Sequence, residues 1–166
     1  SFPISQLASV LKHKGRFAGL HFFNPAPAMK LVEVIRGVAT TDHTIEVLNS
    51  FITSISKSAV QSADSPGFIV NRIARLFYAE ALKLVEDGVS DLETIDHLLK
   101  SSGFKMGPFQ LMDLIGVDTN FEVTTSMYNA FYQDPKFRPS RIQQRKVDAG
   151  HHGRKSGKGF YEYPQS

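Results

Sequence analysis

The sequence predicts a mainly α chain in two parts, a short α/β segment over residues 1–65 and an all-helical domain over 66–166. Three observations carry that prediction. Between Ala18 and Ser62, short runs of strand formers alternate with one amphipathic helical stripe. Asp64-Ser65-Pro66-Gly67 then breaks the pattern. Beyond it, every apolar pattern reads as helical.

Taken in order, Pro3 suits a helix start, Ser5 could cap it, and Leu7, Ala8, Val10 and Leu11 form a short apolar face. Residues 18–23 and 30–35 read as two strands separated by Asn24-Pro25-Ala26-Pro27, a strong turn signal. Gly37 and Val38 close the second strand, and Thr41 or Asp42 caps a helix whose stripe is Ile45, Leu48, Ile52 and Ile55. Residues 59–62 make a brief third strand.

Residues 68–87 form a long helix that is apolar on most sides (Ile69, Val70, Ile73, Phe77, Ala81, Leu84) and stops at Gly88. Such a helix is expected to be buried. Ser90 or Asp91 caps the next, over 91–102, and Gly103 ends it. Gly107-Pro108 opens a short helix with proline at its first position, closed by Gly116. Asp118 is expected to cap the helix bearing Phe121, Val123, Tyr128, Phe131 and Tyr132, aromatics read as core. A polar helix over 140–149 precedes a tail, 153–163, expected to fold back through Phe160 and Tyr161.

Bulk composition narrows the function classes. At 166 residues the chain suffices for one domain, or one small domain plus part of another. Net charge is +3 and the sequence pI is near 9.2, yet no basic stripe interleaves with aromatics, so no nucleic-acid partner is expected. There is no run of eighteen apolar residues and no basic-then-apolar leader, so neither a membrane partner nor secretion is indicated. The absence of cysteine excludes disulfides and thiol chemistry, which suits a reducing compartment. Metal is not expected either. Glu93 and His97 stand one helical turn apart and His151-His152 are adjacent, but both patterns are ordinary solvated surface.

The chemistry concentrates between Arg16 and Gly37. In Leu31-Val32-Glu33-Val34-Ile35 the period of two places Glu33 on the face of Leu31 and Ile35. A carboxylate on a buried face costs several kcal/mol unless paired. The strand-loop-strand path brings His21 near it. A carboxylate on one ring nitrogen fixes the tautomer and leaves the other free to take a proton. Spacing alone leaves a purely structural pair open.

The stretch GLHFFNPAPAMKLVEVI resembles the active-site segment of the 3-hydroxyacyl-CoA dehydrogenase family. DSPGFIVNR (from Asp64), GPFQLMDLIGVD (from Gly107) and GRKSGKGFYEY (from Gly153) extend the resemblance over nearly the whole chain. It implies NAD-dependent oxidation of a 3-hydroxyacyl-CoA to the 3-oxoacyl-CoA, in β-oxidation or short-chain acyl-CoA metabolism. His21 would then be the base, Glu33 its carboxylate partner, Asn71 a substrate-binding residue and Asn24 a cofactor-binding residue beside the nicotinamide.

By the same resemblance, Ser1 matches the second serine of a strand end. Residues 1–65 are the last strand-helix-strand segment of a Rossmann-type domain, and 66–166 are the helical C-terminal substrate and dimerisation domain. No G-x-G-x-x-G occurs in the chain. The sequence is therefore expected to lack the N-terminal NAD-binding segment, and these 166 residues alone to be inactive. Expected partners are an acyl-CoA and a second copy of the chain, in a bacterial cytoplasm or a mitochondrial matrix. The rival expectation is a non-catalytic helical dimerisation module.

Overall fold

The computed structural model describes residues 2–164. Ser1, with its match to a strand-end serine, lies outside the described residues. The chain divides into two compact units, residues 1–72 and 73–166.

The first unit holds a three-stranded sheet in the order β1 (Gly19–Phe22), β2 (Leu31–Arg36) and β3 (Ser58–Ala63). The β1–β2 pair is antiparallel across the Asn24-Pro25 turn, whose peptide bond is cis. The β2–β3 pair is parallel, as its connection through α2 (Asp42–Ser54) requires. Thr41 caps α2 by accepting the Thr44 N–H. Ile45 and Ile52 of α2 pack on Val32 and Val34 of β2 to make this unit's core. Ile55, expected in that stripe, falls after the helix end and is exposed.

The opening helix α1 (Ile4–Ala8) departs from expectation at its cap. Pro3 occupies the N-cap without a side-chain bond, and Asp64 takes both the Ile4 N–H (2.9 Å) and the Ser5 N–H (2.7 Å). The Ser5 hydroxyl instead accepts from Val38 N–H. Burial pulls the Asp64 carboxyl upward, but its bonds to Ser5 and Ile4 outweigh that and hold it below the usual carboxylate range. Only Ile4 and Ala8 of α1 are buried, while Leu7, Val10 and Leu11 face outward because the helix ends before an apolar face can form. Ile4 sits against Gly19, where a Cβ would come within 2.6 Å of its side chain.

Helix α3 (Val70–Glu86) begins in the first unit and continues into the second, which adds α4 (Leu92–Ser101), α5 (Pro108–Ile115), α6 (Val117–Ala130) and α7 (Arg141–Asp148). The buried face of α3 presents Tyr78, Ala81 and Leu82 to Ile95, Phe109, Met112, Val117 and Phe160. It also buries Arg75, whose guanidinium donates to the Asn120 carbonyl and the Thr124 hydroxyl. The helix is not buried all round as expected: Ile73 and Leu76 are exposed, so its apolar girth exceeds what this unit covers. Asp91 caps α4 and Gly107-Pro108 opens α5 as the sequence suggests.

Asp118 does not cap α6. Gly116 takes the N-cap, and Asp118 pairs with Lys155 (2.6 Å) and lies 3.7 Å from His152 Nδ1. Tyr132 is exposed rather than core, because it follows the end of α6 in a left-handed conformation (φ 54°).

Two buried aspartates organise the second unit. Asp96 accepts the Phe109 and Gln110 N–H groups at the start of α5 and the Tyr161 hydroxyl. Asp113 accepts the Phe160 and Tyr161 N–H groups and the Tyr163 hydroxyl. Burial and the Asp113 carboxylate push the Tyr163 hydroxyl up to about 12. The tail is thereby clasped to the helices. Gly159 is required there, since a Cβ would lie 2.1 Å from Asp113 Oδ1.

Candidate active site

The β1–β2 register sets His21 directly opposite Glu33. His21 Nδ1 lies 2.7 Å from Glu33 Oε2. Glu33 is wholly buried, while the His21 side chain retains 31% of its exposure. An ionised carboxylate only accepts hydrogen bonds, so Nδ1 carries the proton and Nε2 presents a lone pair. Among the described residues nothing hydrogen-bonds to Nε2. Phe23 meets the imidazole edge-on at 4.6 Å between centroids and Phe68 lies at 5.7 Å, so packing as well as the carboxylate fixes the ring.

The second oxygen of Glu33 has a different task. Oε1 accepts the N–H groups of Ile69 and Val70, each at 2.9 Å, where α3 begins. A helix start leaves its first N–H groups without intrahelical partners and carries partial positive charge. Pro66-Gly67-Phe68-Ile69 offers no capping side chain, so the carboxylate comes from β2. Three N–H donors on one carboxylate offset the cost of burying its charge. Gly67 (φ 74°) and Phe68 (φ 47°) are both left-handed, turning the chain so that these N–H groups point at Glu33. For Phe68 that conformation costs roughly 1–2 kcal/mol.

Of the residues named from sequence, His21 and Glu33 are brought into direct contact. Asn71 follows Val70 in the first turn of α3, immediately beside the N–H groups that Glu33 holds, and is half-buried. Asn24 is exposed at the start of the β1–β2 turn, three residues past His21. Neither asparagine makes a side-chain hydrogen bond among the described residues. The capping role of Glu33 and the two phenylalanine contacts are not evident from spacing. The signal for the cap is a helix start with no local capping residue. Among the described residues no three His, Asp or Glu side chains gather as a metal site, and no helix is long and apolar enough to cross a membrane.

The His21 imidazole thus stands on the edge strand of the sheet, backed by a helix-capping carboxylate, with a ring nitrogen free to accept a proton. Residues 1–65 match the NAD binding domain of 3-hydroxyacyl-CoA dehydrogenases and residues 67–163 match their C-terminal domain. The chain belongs to the 3-hydroxyacyl-CoA dehydrogenase family. It is 49% identical over 164 residues to the 3-hydroxyadipyl-CoA dehydrogenase of Escherichia coli K12, covering 98% of this chain and 34% of that protein. Against the mitochondrial hydroxyacyl-coenzyme A dehydrogenase of Sus scrofa it is 42% identical, over 98% of this chain and 52% of the relative. The crystal structure of 3-hydroxybutyryl-CoA dehydrogenase from E. coli K12 superposes with a TM-score of 0.96 at 48% identity, covering all of this chain and 35% of that one. That of (S)-3-hydroxybutyryl-CoA dehydrogenase from Ralstonia eutropha gives 0.94 at 40%, covering 99% and 58%. The chain thus spans about a third to just over half of these relatives.

The expectation that the NAD-binding segment is missing is corrected by the match of residues 1–65 to that domain. NAD is the cofactor of the matched domain. Toward such a cofactor the first unit offers the open Nε2 of His21 and, at the adjoining turn, the exposed Asn24. A glycine-rich turn for the pyrophosphate does not occur among the 166 residues.

Proposed function

We propose that the protein containing this chain oxidises (S)-3-hydroxyacyl-CoA to 3-oxoacyl-CoA, in β-oxidation or short-chain acyl-CoA metabolism, with His21 as the catalytic base. Bound NAD supplies the hydride acceptor for C3. His21 Nε2 takes the substrate hydroxyl proton, and Glu33 Oε2 stabilises the imidazolium while holding Nδ1 protonated. Such acid–base assistance contributes on the order of 100- to 10,000-fold in rate. Asn71 orients the substrate beside the reacting oxygen, and Asn24 orders the nicotinamide side of the site.

The observation that carries this reading is the open Nε2 of an imidazole whose other nitrogen is held by a fully buried carboxylate. Its test is turnover of acetoacetyl-CoA with NADH by the whole parent protein. Loss of that turnover in His21→Ala, with the fold intact by circular dichroism, supports the assignment. An intact parent that never consumes NADH with any 3-oxoacyl-CoA rejects it.

A second reading, a helical dimerisation module, is favoured by the exposed Ile73, Leu76, Phe104 and Leu114 of the second unit. Both roles are compatible in one protein: we propose that this surface pairs with a second copy, in a bacterial cytoplasm or mitochondrial matrix. Sedimentation of the parent as a monomer at tens of micromolar would count against the pairing. A module with no catalytic role would tolerate His21→Ala without loss of any activity.

A further inference from the structure

We propose that Lys57 is a positioning residue for the cofactor side of the site, acting by pinning the turn that leaves His21. The inference rests on the dehydrogenase reading above and concerns a residue to which that reading gives no role.

Residues 23–30 connect the strand of His21 to the strand of Glu33. The turn has few internal ties. Pro25 and Pro27 have no N–H, and the Pro25 carbonyl accepts both the Ala28 and the Met29 N–H groups. Two further carbonyls, those of Ala26 and Met29, would be left to solvent. The Lys57 ammonium takes both at 2.7 Å. Among the described residues, these are the hydrogen bonds that tie residues 25–29 to the rest of the first unit. Lys57 has no carboxylate partner among the described residues, so its charge is spent on the two carbonyls alone. Its own place is fixed where β3 begins: Ser58 N–H donates to the Lys30 carbonyl (2.8 Å), and the register pairs Ser58 with Leu31. The lysine therefore ties the turn to the parallel pair that carries Glu33.

The consequence for the site follows from chain continuity. Phe23, which packs on the His21 ring, and Asn24 both stand immediately before the pinned segment. With the pin removed, the turn is held by its two strand ends and the Pro25 carbonyl. His21 itself stays anchored by β1 and Glu33. Glu33 still sets the tautomer of His21, so the effect falls on the cofactor side and leaves the protonation of the base unchanged.

The test is the whole parent protein carrying Lys57→Met, which keeps the aliphatic stem and loses the donors, beside Lys57→Arg, whose fork can reach both carbonyls. Expected for Lys57→Met is a rise of about ten- to a hundredfold in KM for NADH, of the size that misplacement near the chemistry produces. The pH profile of turnover should keep its shape, and Lys57→Arg should recover most of the loss. An unchanged KM for NADH in a folded Lys57→Met protein overturns the proposal. A changed pH profile overturns it too, since the effect would then run through His21. Where Lys57→Met does not fold, Lys57→Gln, with one amide donor group, carries the same prediction at smaller size. Amide exchange at Ala28 and Met29, whose N–H groups both donate to the Pro25 carbonyl, separates this proposal from the dehydrogenase reading. Exchange should quicken in Lys57→Met whatever the reaction, and unchanged exchange rejects the pin even if the parent is an active dehydrogenase.

Discussion

Replacing Glu33 by glutamine isolates one property of the dyad, the position of a proton. The isostere keeps the carboxylate's volume, and the surroundings dictate how its amide must lie. Oε1 faces two N–H donors, those of Ile69 and Val70 at 2.9 Å, and an NH2 group there would oppose both. The amide oxygen therefore stays on the helix and the NH2 faces His21 Nδ1 across the 2.7 Å contact. An NH2 can only donate, so Nδ1 becomes an acceptor and the imidazole proton moves to Nε2. The base then points an N–H at the substrate hydroxyl, and the imidazolium loses its counter-charge. The expected fall in turnover is about 100- to 10,000-fold. It should be the same factor in kcat/KM for hydroxyacyl-CoA oxidation and for acetoacetyl-CoA reduction, because no substitution alters the reaction's equilibrium constant. Stability should change little. The two capping bonds survive with a neutral acceptor, a loss of about 1 kcal/mol. The assay is NADH absorbance in both directions, with a urea curve on the same sample. Parental turnover in a folded Glu33→Gln protein would refute the argument.

Two further outcomes follow from the other carboxylates. Asp64 lies below the usual carboxylate range when folded, so its contribution is fully present above its unfolded value of about 3.9 and fades as pH falls through that value toward the folded one. Asp64→Asn should flatten the acid limb of the stability curve in that window, and a parallel limb in acid titrations of the two proteins would contradict this. Gly159→Ala places a Cβ 2.1 Å from Asp113 Oδ1 and breaks the tail clasp, an expected loss of roughly 2–4 kcal/mol in chemical unfolding. A midpoint within error of the parent would show that the tail carries no such load.

The sequence made the strands, the helix punctuation and the His21–Glu33 pair legible, because periodicity, glycine and proline act within a few residues. What stayed hidden has one physical form: backbone N–H groups satisfied from far along the chain. Asp64 caps α1 across 60 residues, Glu33 caps α3 across 36, and Asp113 holds the tail across 47. A local scan assigns such caps to the nearest polar residue, which is why Ser5 and Asp118 were expected to serve. Tyr132 misled for a related reason. Aromatic spacing continues past the end of α6, but the left-handed backbone at that residue does not.

The shared carboxylate at Glu33 also makes one side chain answerable to two parts of the first unit. Its Oε2 faces the imidazole of His21 and its Oε1 faces the first N–H groups of α3. A displacement of that helix start therefore reaches the imidazole through a single buried residue, with nothing in between to absorb it. Asn71 rides on the same turn, so the two side chains move with one junction and not with two.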